Sequence, residues 1–357
     1  MSGSRSGPIR VLIAEDSPTA RALLVELFDT SPDFQVAAAV ENGADAIERA
    51  VELSPDLIVM DVHMPIIDGL DATKAIMREA PTPIMMVSGS ASVSDVALGL
   101  SATQAGALIL VEKPRGPGSA SFDDDCRQLL SMAKAMAGVK VVRRWSATDT
   151  ARARRSDPTI VTSGPGRHVR IVAIGTSTGG PAALHRTLID LPGTCPVPIV
   201  VVQHMAHGFI GGLAKWLSAN VSLRVVVASA GEVMNPGTVY IAPDDTHLGA
   251  GADGRVVLSS ASAIGGFRPS VDFLFDSFAR VYGSGLVALI LTGMGQDGVD
   301  GLRTVKARGG YVIAQNEATS IVFGMNGKAV EAGLANEVLP LEAMGRRLIE
   351  LTQSHDS

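Results

Sequence analysis

Short apolar runs separated by amphipathic stretches recur along most of the chain, and this alternation restricts the fold more than any other feature. From Ile9 to about Ala137 the runs "IRVLIAE", "DLIVMD", "PIMMVSG" and "ALILVEK" are interleaved with helical patterns such as Ala20 to Phe28 and Asp71 to Glu79. That spacing predicts βα units on a parallel sheet. The pattern resumes at His168 with "VRIVAIG", "PIVVVQH", "LRVVVAS", "LVALILTG" and "GYVIAQN". Helical stretches are expected near 181–190, 209–219, 272–281 and 298–307. Continuous apolar runs suit strands covered on both faces. One segment departs from the rule: in "TVYIAPDDTHLGAGADGRVVLSS" two strand-like runs flank an Asp/Gly-rich stretch, as in an antiparallel hairpin.

Between the two alternating regions, "VKVVRRWSATDTARARRSDPTIVTSGPG" is polar, Arg-rich and broken by Pro and Gly, which reads as a linker. Its arginines (Arg143, Arg144, Arg152, Arg154, Arg155) suit a solvated connection better than a docking patch. The expected organisation is a first domain over 8–138, a linker over 139–167 and a second domain over 168–353. A length of 357 residues agrees with two cores. The apolar runs stop well short of a membrane span, and "MSGSRSGP" lacks the apolar stretch of a secretion signal. With only Cys126 and Cys195, neither a disulfide framework nor a zinc cluster is supported, and a cytoplasmic location is expected. A net charge of -6 with few aromatics argues against a nucleic-acid partner.

In an open parallel sheet the carboxyl ends of the strands meet in one crevice. Glu15 and Asp16 close the first strand, Asp61 the third and Lys113 the last. Three neighbouring acids repel one another unless a cation joins them, and their hard oxygens select Mg²⁺. Such an ion beside Asp61 suits phosphoryl transfer onto that carboxylate, with Lys113 as a point donor. "AEDS", "VMDVHMPIIDG", Ser88 and "EKP" stand in an order and at intervals that resemble the receiver domains of response regulators. The resemblance implies a flavodoxin-like doubly wound sheet. It also implies Asp61 as phosphoacceptor, Glu15, Asp16, Asp61 and the His63 carbonyl as Mg²⁺ ligands, and Ser88 and Lys113 as switch residues. Leu110 stands where receivers commonly carry an aromatic residue, which weakens the expectation of aromatic-switch signalling.

In the second domain Gly175-Thr176-Ser177-Thr178-Gly179 satisfies G-x-S-x-G between a strand-like and a helix-like run, with Pro181 suited to the first helical turn. No Lys follows to make a phosphate loop. Ser177 at a helix N-terminus would face backbone N–H groups, and it needs a base oriented by an acid. Of the seven histidines, His204 ends the run "PIVVVQ" and should emerge at the same sheet edge. His207 completes an H-x-x-H, but no third ligand accompanies it. His63, His168, His185, His247 and His355 read as surface or packing residues. Asp297, at the end of "LVALILTGMGQDG", is the candidate orienting acid, whereas Asp300 has an easy capping explanation.

"IGTSTGGP", "VVQHM", "YIAPDDTHL", "RPSVDFLF", "LTGMGQDG" and "GGYVIAQNEATSIVFGM" strongly resemble the catalytic domain of the CheB family of chemotaxis methylesterases, which also follows a receiver. The resemblance implies a mainly parallel α/β domain with a Ser177–His204–Asp297 triad and oxyanion donors on the backbone of Thr178 and Met294. No cofactor is implied for the esterase. The implied substrates are methylated glutamates, and also glutamines, on methyl-accepting chemoreceptors, with a CheA-type histidine kinase as phosphodonor. An unphosphorylated receiver would inhibit and phospho-Asp61 would relieve the inhibition. Thr176 and Asn326 depart from the residues usual at their positions. Two rival readings are a receiver-controlled scaffold and a small-ester hydrolase in another signalling pathway.

Overall fold

The computed structural model describes residues 7–89, 93–119, 121–139 and 168–353. The chain divides into two compact units, Met1–Ser156 and Asp157–Ser357. The expected linker, apart from Val139, and its five arginines lie outside the described residues.

In the first unit five strands, β1 (Ile9–Ala14), β2 (Phe34–Val40), β3 (Leu57–Asp61), β4 (Ile84–Ser88) and β5 (Ile109–Glu112), form a parallel sheet in the order β2-β1-β3-β4-β5. Five helices connect or follow them: α1 (Pro18–Asp29), α2 (Gly43–Leu53), α3 (Gly69–Glu79), α4 (Val93–Ala105) and α5 (Phe122–Ala137). Every residue of β3 and β4 is buried, as expected for central strands covered by helices. Helix starts follow from local chemistry. Ser17, Asn42 and Asp68 each accept a backbone N–H from three residues ahead, at Ala20, Asp45 and Asp71, and Pro18 occupies the first turn of α1. The strand order reverses between β1 and β3, which is where a doubly wound sheet opens its crevice.

The second unit holds a seven-stranded parallel sheet in the order β14-β13-β12-β6-β7-β9-β8. Its strands are β6 (Ile171–Thr176), β7 (Ile199–Gln203), β8 (Arg224–Val227), β9 (Thr238–Ile241), β12 (Leu286–Ile290), β13 (Tyr311–Gln315) and β14 (Glu337–Leu339). The antiparallel hairpin is present, formed by β10 (His247–Ala250) and β11 (Val256–Ser259). Its first arm is not the run "TVYI", which is β9 and lies between β7 and β8 in the main sheet. Helices α6 (Gly180–Leu188), α7 (Ile210–Asn220), α8 (Val271–Tyr282), α9 (Val299–Ala307), α10 (Met325–Glu331) and α11 (Leu341–Gln353) complete the unit. Phe275 and Phe278 of α8 are fully buried against the apolar faces of β6 and β12. The sheet order reverses at β6, which sits between β12 and β7.

Candidate functional site

The second unit brings three strand ends together. Thr176 pairs with Gln203 across β6 and β7, so Ser177 and His204 are the next residues on adjacent strands, and His204 N donates to Thr176 O at 3.0 Å. On the other side of β6, β12 pairs Ile290 with Gly175 and leads into the turn that carries Asp297. His204 Nε2 lies 2.9 Å from Asp297 Oδ2, both side chains being largely buried. His204 Nδ1 is buried and has no hydrogen-bond partner.

Asp297 is held by the start of a helix. Its Oδ1 accepts from Ser270 Oγ at 2.9 Å and Asp272 N at 3.0 Å, and its Oδ2 accepts from Val271 N at 2.8 Å. Unpaired N–H groups at the first turn of α8 thus face a carboxylate, the favourable sense of the helix dipole. Burial alone would raise its pKa, but the imidazole beside it and the two backbone N–H groups outweigh burial and hold it below the ordinary carboxylate value. Asp272 takes the opposite course. Burial, reinforced by the charge of Asp297, pushes it up to about 6, although Gly301 N donates to it at 2.8 Å. Asp300 is exposed and pairs with Arg303.

Ser177 is fixed from several directions. Its N–H donates to Thr292 O at 3.1 Å, which removes that donor from any role toward substrate. The Thr178 and Met294 N–H groups donate to no backbone group among the described residues. Gly293 packs directly on the nucleophile position: a Cβ there would stand 2.7 Å from Ser177 Cβ and 2.5 Å from the Met325 sulfur. Thr176 is fully buried, and its hydroxyl donates to Thr292 O at 3.1 Å, which ties the end of β6 to the turn beyond β12. Thr292 continues the web, its Oγ1 accepting from Val322 N at 2.9 Å and donating to Thr178 O at 3.0 Å. Asn326 is buried and donates to Gln315 O at 2.9 Å and Ser320 Oγ at 2.7 Å.

Three neighbours of this site have roles that no sequence motif announces. Gln203 Nε2 donates to both Ser177 O at 2.8 Å and His204 O at 2.7 Å, so one carboxamide binds the residues leaving β6 and β7. Phe267 stacks on the His204 ring, with centroids 4.2 Å apart and planes at 3°. His247 is a packing residue, but a specific one: its Nδ1 accepts from Ser270 N at 3.2 Å and its Nε2 meets Ser262 O at 3.1 Å. A Ser three residues before a Phe at a helix start was the available signal for Ser270, whose Oγ accepts from Phe273 N. His207 pairs with exposed Asp245 at 3.0 Å, so the two histidines of the H-x-x-H face different acids.

In the first unit the sheet edge gathers the expected charges. Lys113 Nζ lies 2.7 Å from Glu15 Oε2 and 3.0 Å from Asp61 Oδ2. Glu15, Asp16 and Asp61 each offer a carboxylate oxygen, all within 4.8 Å of one another. Burial raises both Glu15 and Asp61, Lys113 only partly offsetting it. Burial would lower Lys113, but its bond to Glu15 and the charges of Asp61 and Glu15 prevail and raise it. An all-oxygen set of three carboxylates with one ammonium is under-compensated, and a hard divalent cation fits it. Ser88 ends β4 in a buried position, its carbonyl accepting from Lys113 N at 2.8 Å, and His63 is exposed two residues beyond Asp61. At the position of the expected aromatic residue, the Leu110 methyls pack so closely on Gly99 of α4 that a Cβ there would lie 2.7 Å from one.

Comparison with known proteins agrees with both units. Residues 172–348 match the CheB methylesterase family and residues 11–119 the response regulator receiver domain. The chain is 48% identical over 344 residues to protein-glutamate methylesterase/protein-glutamine glutaminase 4 of Myxococcus xanthus, covering 96% of this chain and 97% of that protein. It is 41% identical over 346 residues to the protein of the same description from Thermotoga maritima, covering 96% and 98%. The crystal structure of the Thermotoga maritima CheB methylesterase catalytic domain superposes with a TM-score of 0.50 at 47% identity, covering 51% of this chain and 98% of that one.

Proposed function

Because the chain belongs to the CheB family of receiver-linked protein-glutamate methylesterases and protein-glutamine glutaminases, we propose that it removes methyl esters from glutamates of methyl-accepting chemoreceptors under phosphorylation control. The observation that carries this reading is the convergence of Ser177, His204 and Asp297 at adjacent strand ends, with His204 Nε2 2.9 Å from a carboxylate seated on a helix start. The proposed units are a receiver over 8–138, a linker over 139–167 and a catalytic domain over 168–353.

Ser177 Oγ attacks the ester carbonyl, and His204 Nδ1, the ring nitrogen that does not face Asp297, takes the hydroxyl proton. Asp297 faces the positive charge that then forms on the ring. The Thr178 and Met294 N–H groups receive the oxyanion, since neither is engaged by the described backbone. The proton passes to the leaving methoxide and methanol departs. Water, deprotonated by the same imidazole, then cleaves the acyl-enzyme to glutamate. A glutamine side chain in place of the ester releases ammonia by the same steps.

In the receiver, Asp61 is the phosphoacceptor for a CheA-type histidine kinase, Lys113 pairs with the added phosphoryl group and Ser88 responds to it. Glu15, Asp16, Asp61 and the His63 carbonyl would hold Mg²⁺, which supplies charge neutralisation at that pocket. No helix among the described residues is long and apolar enough to cross a membrane. From the family likeness we place the activity in the cytoplasm.

The test is methanol release from methylated receptors by the wild type, Ser177→Ala and Asp61→Asn, with and without a small-molecule phosphodonor and Mg²⁺. Release should require Ser177, and its stimulation should require Asp61. Equal release by Ser177→Ala removes the nucleophile. Turnover of simple esters without release from receptors favours a small-ester hydrolase.

A further inference from the structure

The segment 260–270 carries more organisation than an exposed loop needs. Ile264 and Phe267 exchange both backbone hydrogen bonds, Ile264 N to Phe267 O at 3.1 Å and Phe267 N to Ile264 O at 3.0 Å. The two residues between them are glycines with φ of 60° and 89°, as a two-residue hairpin turn of the primed type requires. Residues 260–266 are exposed, yet Phe267 turns inward and lies flat on His204 at 4.2 Å. Both ends of the segment are anchored by one buried imidazole, His247, through Ser262 O and Ser270 N. Ser270 in turn reaches Asp297. A single chain segment therefore delivers a ring to one face of the candidate base and a hydroxyl to the candidate acid.

We propose that Phe267, held by the Gly265-Gly266 hairpin and the His247 clasp, is a positioning residue that fixes the plane of the His204 ring for proton transfer. The inference rests on the triad reading and adds to it a cause for the ring's orientation. The Asp297 contact restrains one edge of the imidazole but not rotation about the His204–Asp297 line. A parallel ring at stacking distance removes that freedom and keeps water off the covered face. Misorientation of a general base slows every step that uses it while leaving recognition of the remote parts of a substrate intact.

The experiment uses the full chain and a fluorophosphonate probe. Ser177 Oγ forms a bond to phosphorus, the P–F bond breaks, fluoride leaves and the serine proton passes to His204, so labelling reads the serine and its base without a receptor. Wild type should label at Ser177 and Ser177→Ala should not. Phe267→Leu should label about tenfold more slowly, the scale of one aromatic pair, and Phe267→Tyr should restore the rate to within about twofold. Gly266→Ala, which strains the turn without touching the ring, should slow labelling as Phe267→Leu does. On receptor substrate the loss should fall on kcat, with KM changed by less than about twofold. In proton NMR the ring-current displacement of the His204 ring protons should vanish in Phe267→Leu and persist in Phe267→Tyr. Wild-type labelling at Ser177 with an equal rate in Phe267→Leu overturns the proposal while the triad stands, and so does failure of Tyr to restore the rate. An unlabelled Ser177 in wild type overturns the triad and the proposal together.

Discussion

Replacing Asp297 by Asn isolates the charge on which the proposed site depends. The carboxylate only accepts: Ser270 Oγ and Asp272 N meet one oxygen, Val271 N and the His204 ring the other. An Asn amide group must point its NH₂ toward one of these pairs. Each pair contains a backbone N–H that cannot reverse, so either orientation sets donor against donor and leaves one first-turn N–H of α8 unsatisfied. That costs about 1 to 3 kcal/mol of stability. The electrostatic loss is larger. A unit charge 2.9 Å from the ring, at the effective dielectric suited to partly buried pairs, is worth about 4 to 6 kcal/mol to a forming imidazolium, equivalent to about 10³ to 10⁴ in rate. Methanol release under saturating receptor gives kcat, and urea unfolding monitored by circular dichroism gives stability. A folded Asn variant within tenfold of wild type would refute both the role of Asp297 and the arithmetic.

Four further outcomes follow from the same geometry. Asp272 is raised to about 6 in the folded state, so its ionisation opposes folding as pH climbs from its unfolded value near 4 to above 6. Asp272→Asn should match wild-type stability near pH 3 and exceed it by about 1 to 2 kcal/mol at pH 7, and a pH-independent difference in urea midpoints contradicts the assignment. Gln203→Met should leave the His204 carbonyl unsatisfied and the Ser177 carbonyl with Gly180 N alone, lowering stability by about 1 to 2 kcal/mol and slowing labelling of Ser177, and unchanged values for both would show that the carboxamide clamps nothing. Gly293→Ala should abolish methanol release in a protein that still folds, because the new methyl overlaps Ser177 Cβ; wild-type release contradicts the packing. Because burial raises Glu15 and Asp61, protons compete with a cation for them more readily than for ordinary carboxylates, so Mg²⁺ affinity measured by calorimetry on the full chain should fall as the pH is lowered. An unchanged affinity would place the ion elsewhere.

Strand-based features were the most readable from sequence, because burial on both faces leaves an unbroken apolar run and the residue after it is placed at the sheet edge. "DLIVMD" gave β3 and Asp61 in one reading, and "PIVVVQH" gave β7 and His204. "TVYI" misled for the same reason: four apolar residues between turn signals suit an arm of a hairpin or a strand of the main sheet, and local pattern cannot choose. The preference for Asp297 over Asp300 rested on the strand end, and the structure puts the first beside His204 and the second on the surface. Thr176 resisted explanation from sequence because its partner, the Thr292 carbonyl, is 116 residues away. Gln203 stands inside "VVQHM" and Phe267 just before "RPSVDFLF", but their roles were unreadable for a related reason: each acts through a contact across elements that no period or spacing signals.

The seating of Asp297 has a consequence for the ionic medium. Beside the imidazole itself, its charge is balanced by peptide dipoles fixed in α8 rather than by a lysine, an arginine or dissolved ions. Electrolyte weakens exposed pairs such as Arg303 and Asp300 over distances of about a Debye length, roughly 8 Å at physiological strength, but it cannot enter the space between a buried carboxylate and the amides that hold it. The contribution of this carboxylate at His204 is therefore set by the fold, and it should change little between dilute buffer and brine.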